Sequence, residues 1–572
     1  MPKRPEMHQS QQRLPSSPGR GTRVEGTINQ LLPVHLSKLT PVAFLERSAS
    51  VFADKTAVIH QDLRYTYAEF HRRVHRLAGA LRRAGIEPGD RVACLAPNVP
   101  VLLEAHFAVP LAGALLVAIN TRLNSQEIAY ILNHSAAKLL VVDSELAPLI
   151  APIAPQLKAI RRFVIARHTA LESPSGSHDK LPLGGQDYEE FLATGEDEFK
   201  DFRLDDENDS ISINYTSGTT GKPKGVVYTH RGAYLNALGV AELLEIQSRS
   251  VYLWVVPLFH CNGWCFPWGV TAMGATHVCL RRPDPESILN AIRAHRVTHF
   301  CAAPTVLSSL LHHPAAREFR LDHPLRVATG GAPPSPAVIR AGENFGMEII
   351  HLYGLTETYG PSTFCEWREE WNERELPERA RIKALQGVPH VVAGTGVRVV
   401  DDKMRDVPAD GKTLGEVVFR GNTVMKGYYQ DLTGTAEVFR GGWFHSGDLA
   451  VLHPSGYLEI RDRKKDIIIS GGENISTQEV EKAICDHPDV LEAAVIAVPH
   501  EKWGEVPKAF VTLQTGSRVG ERDIMEFCRR KLAHFKCPQH VTFGPLPKTS
   551  TGKIKKFELR EREWSGYDKR VN

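Results

Sequence analysis

The run Tyr215-Thr-Ser-Gly-Thr-Thr-Gly-Lys-Pro-Lys-Gly225 packs three glycines, four hydroxyl residues and two lysines into eleven positions. Ile211 and Ile213 precede it, and Val226-Val227-Tyr228 follows. The pattern predicts a strand, a loop and a second extended run. Glycine lets backbone approach a ligand closely, and successive free N–H groups form a nest for an anion. Thr and Ser hydroxyls add donors, and lysine adds a mobile point charge. The physical reading is a loop that grips phosphate. It is not the P-loop of nucleotide triphosphatases: Gly218 and Gly221 are too close together, and Lys222 is followed by Pro223. Taken alone, the same composition also fits a surface hairpin turn.

At 572 residues the chain is long enough for more than one folding unit. Hydrophobic content of 42% and charged content of 24% are ordinary for a soluble globular protein. With 69 basic and 66 acidic side chains, the charge balance gives no reason to expect nucleic acid or an anionic membrane as partner. No apolar run approaches the ~18 residues of a membrane span. The nine cysteines are scattered and follow no secretory signal, so reduced thiols and a cytoplasmic location are expected. Cys261 and Cys265 lack a matching second pair and read as core or pocket lining rather than metal ligands. Residues 1–30 are polar and read as a disordered leader. A mitochondrial presequence is the alternative, though the stretch is basic without being amphipathic. The C-terminal Lys-Arg-Val-Asn carries no peroxisomal tripeptide.

Helix and strand alternate along the chain. Ala43–Ser50 reads as a short helix and is followed by a strand. Thr66-Tyr-Ala-Glu69 is a capping box, and the helix it opens carries Phe70, Val74, Leu77 and Leu81 on one stripe. Strands are expected at Arg91–Ala96, Lys138–Val142, Val251–Phe259, Val278–Leu280, His299–Ala302 and Arg326–Thr329, with a helix over Glu127–Leu132. Residues 168–186 read as a surface excursion. This rhythm predicts an α/β fold with mostly parallel sheets. The charge run Glu459-Ile-Arg-Asp-Arg-Lys-Lys-Asp466 separates it from a further α/β pattern of domain size. We therefore expect an N-terminal domain over 31–462, a small mobile α+β C-terminal domain over 463–572, and a hinge near 463–466.

Six more motifs follow the phosphate loop in order: Gly330-Gly-Ala-Pro333, Tyr353-Gly-Leu-Thr-Glu-Thr358, Trp443-Phe-His-Ser-Gly-Asp448, Asp462-Arg-Lys-Lys-Asp466, Gly471-Gly-Glu473 and Pro547-Lys-Thr-Ser-Thr-Gly-Lys553. In order and spacing this set resembles the adenylate-forming superfamily of acyl- and aryl-CoA ligases, luciferases and peptide-synthetase adenylation domains. The resemblance covers about residues 40–560. Two runs, Phe259-His-Cys-Asn-Gly-Trp-Cys-Phe-Pro-Trp268 and Glu357-Thr-Tyr-Gly-Pro-Ser-Thr363, look closest to the plant acyl-activating enzymes and their bacterial relatives.

The resemblance implies two half-reactions with ATP, Mg²⁺ and coenzyme A. A carboxylate attacks the α-phosphate of ATP and releases pyrophosphate. A thiol then attacks the acyl-adenylate and releases AMP, so one hard acylation becomes two easier steps. Thr216, Ser217, Gly218, Thr219, Thr220, Gly221 and Lys224 would hold the β- and γ-phosphates. Glu357 would help hold Mg²⁺, and Thr356 would bond the α-phosphate. Gly331, Ala332 and Pro333 would line the adenine and acyl pockets. Tyr353 would stack on adenine, with His351 and Gly354 as further nucleotide-binding candidates. Asp448 resembles the acid that bonds both ribose hydroxyls, and Arg463 its partner; a plain salt bridge between them is the alternative.

Lys553 resembles the lysine that bridges carboxylate, α-phosphate and ribose in the first step. Lys465 lies at the family's pivot, and rotation about it would replace Lys553 by the Gly471-Gly472 loop at the pantetheine tunnel. His260 is expected as a gate, with a catalytic base as the other reading. Trp264 and Trp268 read as pocket lining or core. Arg281 and Arg282 are either contacts for the CoA 3′-phosphate or ordinary surface arginines.

The expected activity is ATP-dependent acyl-CoA ligation of a short- or medium-chain aliphatic or aromatic acid, by a monomer or homodimer. The alternatives are transfer of the acyl group to a carrier protein, oxygenation of the adenylate, long-chain fatty acyl-CoA synthesis, and a silent nucleotide-binding scaffold.

Overall fold

The computed structural model describes residues 36–167, 182–216, 223–394, 396–514, 516–548 and 554–565. Local sequence signals become local structure directly. Thr66 caps the helix Tyr67–Arg83: its Oγ1 accepts from the Glu69 N–H at 3.2 Å, and Glu69 Oε2 accepts from the Thr66 N–H at 2.7 Å. The stripe Phe70, Val74, Leu77 and Leu81 is buried to 1% exposure or less. On the flank, Arg73 turns inward to the fully buried Glu104 at 2.6 Å, which also accepts from the Tyr188 hydroxyl. Cap and stripe fix the helix, and the paired buried charge fixes where it docks.

Among the described residues the chain builds four sheets. The nine-stranded sheet runs Val388–Pro389, Gly360–Phe364, Met347–Leu355, Leu325–Thr329, His299–Ala302, Val251–Trp254, Thr276–Cys279, Thr56–His60 and Leu63–Thr66. Its strands from Met347–Leu355 to Thr56–His60 are parallel, and antiparallel strands close both edges. The eight-stranded sheet runs Gly427–Tyr428, Lys224–Thr229, Ser210–Thr216, Leu115–Ala118, Arg91–Leu95, Leu139–Asp143, Arg162–Ala166 and Gln186–Asp187. It is parallel from Ser210–Thr216 onward. Such strands carry continuous apolar runs because helices cover both faces; Arg91–Leu95 and Leu139–Asp143 are buried almost throughout.

A four-stranded antiparallel sheet joins Val397–Val400, Gly415–Phe419, Phe444–Leu452 and Leu458–Arg463. The fourth sheet begins at Ile468–Ser470 and adds Glu473–Ile475, Gly504–Leu513, Val490–His500 and His540–Phe543, with the helix Thr477–Cys485 packed on it. Residues 464–467 therefore carry the chain from one sheet to the next.

The expected strand Val251–Phe259 stops at Trp254. The cause is Asn98. Its Nδ2 donates to the carbonyls of Trp254 and Val256 at 2.8 and 3.1 Å, and its Oδ1 accepts from the Leu258 N–H at 2.8 Å. A side-chain amide thus takes the backbone bonds that a sheet neighbour would have taken, and residues 255–265 are freed to turn.

Candidate active site

The phosphate-loop hairpin is set by its stem. Ser210–Thr216 and Lys224–Thr229 pair antiparallel from Ser210↔Thr229 to Thr216↔Lys224, with Ile211, Ile213 and Val226 fully buried. The loop residues Ser217, Gly218, Thr219, Thr220 and Gly221 lie outside the described residues, as does Lys553. At the mouth of the stem Lys224 Nζ is 3.4 Å from Asp431 and 4.6 Å from the centre of the Tyr428 ring. Asp431 is fixed as the cap of the helix Leu432–Val438. Both charges are about a third exposed. A pair of that kind contributes at most ~1 kcal/mol, so it parks Lys224 without committing it.

The strand Gly427–Tyr428 adds to the outer edge of the hairpin and brings Tyr428 to the turn Thr356–Thr358. There the Tyr428 hydroxyl donates to Glu357 Oε1 at 2.9 Å, and the Met425 N–H donates to the Glu357 carbonyl at 2.8 Å. The Tyr228 hydroxyl donates to the Thr356 carbonyl at 2.7 Å. Its ring stacks on Tyr359 at 3.9 Å, and the Tyr359 hydroxyl accepts from the Thr229 N–H. The turn carrying Thr356 and Glu357 is thus bolted to the hairpin. Burial raises the pKa of Glu357, while the Tyr428 bond and the Arg463 charge pull it back.

Tyr353 ends the strand Met347–Leu355, and its hydroxyl donates to Asp448 Oδ2 at 2.8 Å. Asp448 faces Arg463 across an antiparallel pair, with Arg463 Nε 3.2 Å from Oδ1. The salt bridge expected as an alternative is therefore formed. Each carboxylate oxygen keeps a second lone pair, so the bridge does not bar a ribose from Asp448. Lys224, Tyr428 and Glu357 are joined by direct contacts, as are Arg463, Asp448 and Tyr353, and the Arg463 charge acts on Glu357 between the two groups.

Gly331, Ala332 and Pro333 lie in the loop between Leu325–Thr329 and the helix Pro336–Phe345. Gly331 sits at φ 83° and is exposed. The preceding Gly330 is buried so tightly that a Cβ would lie 2.8 Å from the Leu352 carbonyl oxygen and 3.3 Å from the Trp264 ring. Gly354 is equally confined, its Cβ position colliding with the Gly360 carbonyl. Gly471 and Gly472 turn the hairpin between Ile468–Ser470 and Glu473–Ile475, at φ 58° and 89°. Gly471 donates its N–H to the Trp503 carbonyl at 2.9 Å. Lys465 lies between the sheets with its side chain exposed, and partial desolvation at its base together with the Arg463 and Arg560 charges lowers its pKa to about 8.

Some candidates stand elsewhere. His351 is 2% exposed, and its Nδ1 lies 3.0 Å from the carbonyls of Ala384 and Leu385. Burial takes its pKa to about 4 and leaves it neutral. It braces the strand rather than opening onto either group. Trp268, 1% exposed and donating to the His106 carbonyl, is core, whereas Trp264 lies against Gly330 and Gly360. Arg281 is 8% exposed and grips Asp143 with two hydrogen bonds of 2.9 and 2.5 Å, so it is not available to CoA; Arg282 is exposed and reaches Glu145.

No residue pattern anticipates the turn that follows His260. His260 is followed by five consecutive left-handed residues: Cys261, Asn262, Gly263, Trp264 and Cys265, at φ 49°, 43°, 54°, 58° and 64°. Left-handed backbone costs roughly 1–2 kcal/mol per non-glycine residue, so the turn persists only because its surroundings hold it. His260 is half-buried, with Nε2 3.7 Å from Cys261 Sγ. Cys261 Sγ lies 3.2 Å from Thr356 Oγ1, and burial pushes its thiol up to about 12.

Away from this region, among the described residues, Glu46, His71 and His75 cluster closely enough to suggest a metal. His75 Nδ1 accepts from the Phe199 N–H at 2.9 Å. That fixes the proton on Nε2, which donates to Glu46, so the lone pair a metal would need is taken. The chemistry of Glu357 suits Mg²⁺ better: a hard carboxylate oxygen donor beside a phosphate-gripping hairpin.

The model of AMP-binding enzymes matches residues 45–429, and that of the AMP-binding enzyme C-terminal domain matches residues 479–553. The chain is 47% identical over 537 residues to an acetate–CoA ligase of Humulus lupulus, covering 92% of this chain and 94% of that protein. It is 45% identical over 538 residues to a peroxisomal trans-cinnamate:CoA ligase of Petunia hybrida, covering 91% and 94%. Among solved structures it resembles an anthranilate CoA ligase in complex with anthranoyl-AMP, with a TM-score of 0.81, 26% identity, and 93% and 99% of the two chains covered.

Proposed function

The chain belongs to the AMP-binding enzyme family, and from that footing we propose that it is an ATP-dependent acyl-CoA ligase for a short-chain aliphatic or aromatic carboxylic acid. The observation that carries this reading is the series running from Lys224 at the phosphate hairpin, through Tyr428, Glu357 and Arg463, to Asp448 and Tyr353.

In the first half-reaction the carboxylate oxygen attacks the α-phosphorus, and the bond to the β-phosphate oxygen breaks. Lys224 leaves Asp431 for the departing phosphates. Thr356, held by Tyr228 and Cys261, offers its hydroxyl to the α-phosphate. Glu357 would hold Mg²⁺, whose charge supports the pyrophosphate as it leaves. Asp448 accepts from the ribose hydroxyls, and Tyr353 lies beside them. Lys553 completes the charge around the α-phosphate. In the second half-reaction the thiol of coenzyme A attacks the acyl carbon, and the bond to the AMP oxygen breaks. We assign this step to a second arrangement of the C-terminal residues. It pivots at Lys465, withdraws Lys553 and brings Gly471 and Gly472 to the pantetheine, with His260 as gate.

Trp264, lying against Gly330 and Gly360, gives the acyl side a bulky wall suited to small or flat acids. All nine cysteines are free, which fits a reducing compartment, and we assign the cytoplasm. No helix of the described residues is long and apolar enough to cross a membrane.

The test is pyrophosphate release by purified protein with ATP, Mg²⁺ and coenzyme A, over acids from acetate to palmitate with benzoate and cinnamate. We expect the largest response among the short or aromatic acids, with the matching CoA thioester as product. Acyl-AMP accumulating without thioester overturns the ligase reading.

A further inference from the structure

The left-handed turn Cys261–Cys265 touches three parts of the site. Cys261 Sγ meets Thr356 Oγ1 at 3.2 Å. Trp264 lies against Gly330 and Gly360, each of whose Cβ positions falls 3.3 Å from it. Between them, Asn262 is fully buried and faces the strand Ser210–Thr216. Its N–H donates to Asn214 Oδ1 at 3.0 Å, and its Oδ1 accepts from Asn214 Nδ2 at 2.6 Å and from the Ser212 hydroxyl at 2.5 Å. Two residues beyond Asn214 the strand reaches Thr216 and the phosphate loop.

This reciprocal pairing is unusual in its placement. The turn gives Asn214 a backbone N–H and takes the Asn214 amide on the Asn262 side-chain oxygen, while Asn262 Nδ2 stays buried without a partner. Two opposed bonds between the same two buried residues fix the register of turn against strand, because a shift would strand the remaining polar groups as well. At its C-terminal end the turn runs into the helix Phe266–Ala272, whose Gly269 N–H donates to the Cys265 carbonyl at 3.0 Å. Gly263 presses against Trp254, where a Cβ would lie 2.8 Å from the ring, and the Cys265 N–H closes on the Asn262 carbonyl at 3.0 Å. The bonds from Asn262 to the strand are what reference the turn to the phosphate hairpin.

We propose that Asn262 is a positioning residue for adenylation: paired with Asn214, it holds the wall of the acid pocket and the hydroxyl of Thr356 in fixed register with the strand Ser210–Thr216, which leads to the phosphate-binding segment. It touches no substrate. It sets the distance between the two reactants, the carboxylate bounded by Trp264 and the triphosphate gripped beyond Thr216. In-line attack is sensitive to that distance, and misplacement by about 1 Å can cost about 10²-fold in rate. Thioester formation from a finished acyl-adenylate uses neither the β- nor the γ-phosphate and is insensitive to this register. The inference rests on the ligase reading above.

The experiment measures the two half-reactions separately for the wild type, N262A, N214A and the double variant. Butyrate with ATP is scored by pyrophosphate release, and supplied butyryl-AMP with coenzyme A by thioester formed, per mole of folded protein. We expect N262A to lower the first rate about 10²-fold and the second by less than about 3-fold. N214A should reproduce that split without altering the turn itself, and the double variant should be no worse than the poorer single one. A merely structural asparagine would lower thermal stability and both half-reactions alike; that result, or additive losses in the double variant, overturns the proposal. If N262A does not fold, N214A alone decides. Wild-type protein that makes no acyl-CoA from any acid overturns the ligase reading and this inference with it.

Discussion

Glu357 is held against the preference of its surroundings. Burial favours the protonated form, so its pKa lies above the ordinary 4.5. As pH rises from that value, the unfolded chain releases the proton first, and folded stability falls until the native carboxyl has ionised too. Above that window the ionised side chain remains a standing cost. Glu357→Gln is therefore expected to raise the melting temperature at pH 8 while cutting adenylation on the order of 10²–10³-fold. A variant that loses both stability and activity would count against Glu357 as a strained functional acid. Arg281 separates packing from binding. Arg281→Ala leaves the buried Asp143 unpaired and is expected to lose about 3–5 kcal/mol in chemical denaturation, with the KM for coenzyme A changed less than about 2-fold. A selective rise in that KM would return Arg281 to the CoA site. Lys553→Ala should slow adenylation about 10²–10³-fold and spare thioester formation from supplied acyl-AMP. Equal losses in the two assays would exclude a role confined to one step.

At the scale of elements, the stretch 462–466 joins two sheets by charge rather than by apolar packing. Asp462 accepts from the Thr477 hydroxyl at 2.8 Å at the start of the helix Thr477–Cys485, and Arg560 reaches Asp466 at 2.5 Å. Lys465→Pro fixes φ in the middle of that joint. It should reduce thioester formation at least ~10-fold while leaving pyrophosphate release within ~3-fold; unaltered thioesterification would place the pivot elsewhere. Elements also show what a reader of the sequence can recover. The capping box Thr66–Glu69 and the stripe from Phe70 to Leu81 are written within a few residues of where they act. The hairpin stem was legible for the same reason. Tyr428 and Asp431 were not: they reach Glu357 and Lys224 from another part of the chain, and only the fold brings them there. The turn Cys261–Cys265 was hidden differently. Periodicity arguments assume right-handed helices and extended strands, and only Asn262 and Gly263 of its five residues are suited to positive φ. The apolar run Val251–Phe259 therefore read as one long strand.

For the whole molecule, the two half-reactions we propose for one set of residues call for two arrangements of the chain. Lys464 and Lys465 are exposed at the joint and offer trypsin a site. Substrates that favour the adenylating arrangement should change cleavage there. We expect ATP, Mg²⁺ and a non-hydrolysable acyl-AMP analogue to slow cutting near 463–465 by about 10-fold relative to the free enzyme. Cleavage elsewhere should be far less affected, and equal protection at every site would mean general stabilisation instead. The Arg463–Asp448 bridge gives this a molecular handle, since Arg463 ends the last strand before the joint while it holds Asp448.

The pairing of the large sheets has a consequence for how the protein is made. Thr56–His60 takes its place beside Thr276–Cys279, and Gly427–Tyr428 closes the sheet that Lys224–Thr229 began, partners roughly 200 positions apart in each case. A ribosome delivers residues in order, so the first strand pairs early with Leu63–Thr66 but waits roughly 200 residues with its other edge open. Open edges recruit other chains. The nascent protein must be shielded until residue 428 has emerged, and fragments ending earlier are expected to aggregate rather than fold.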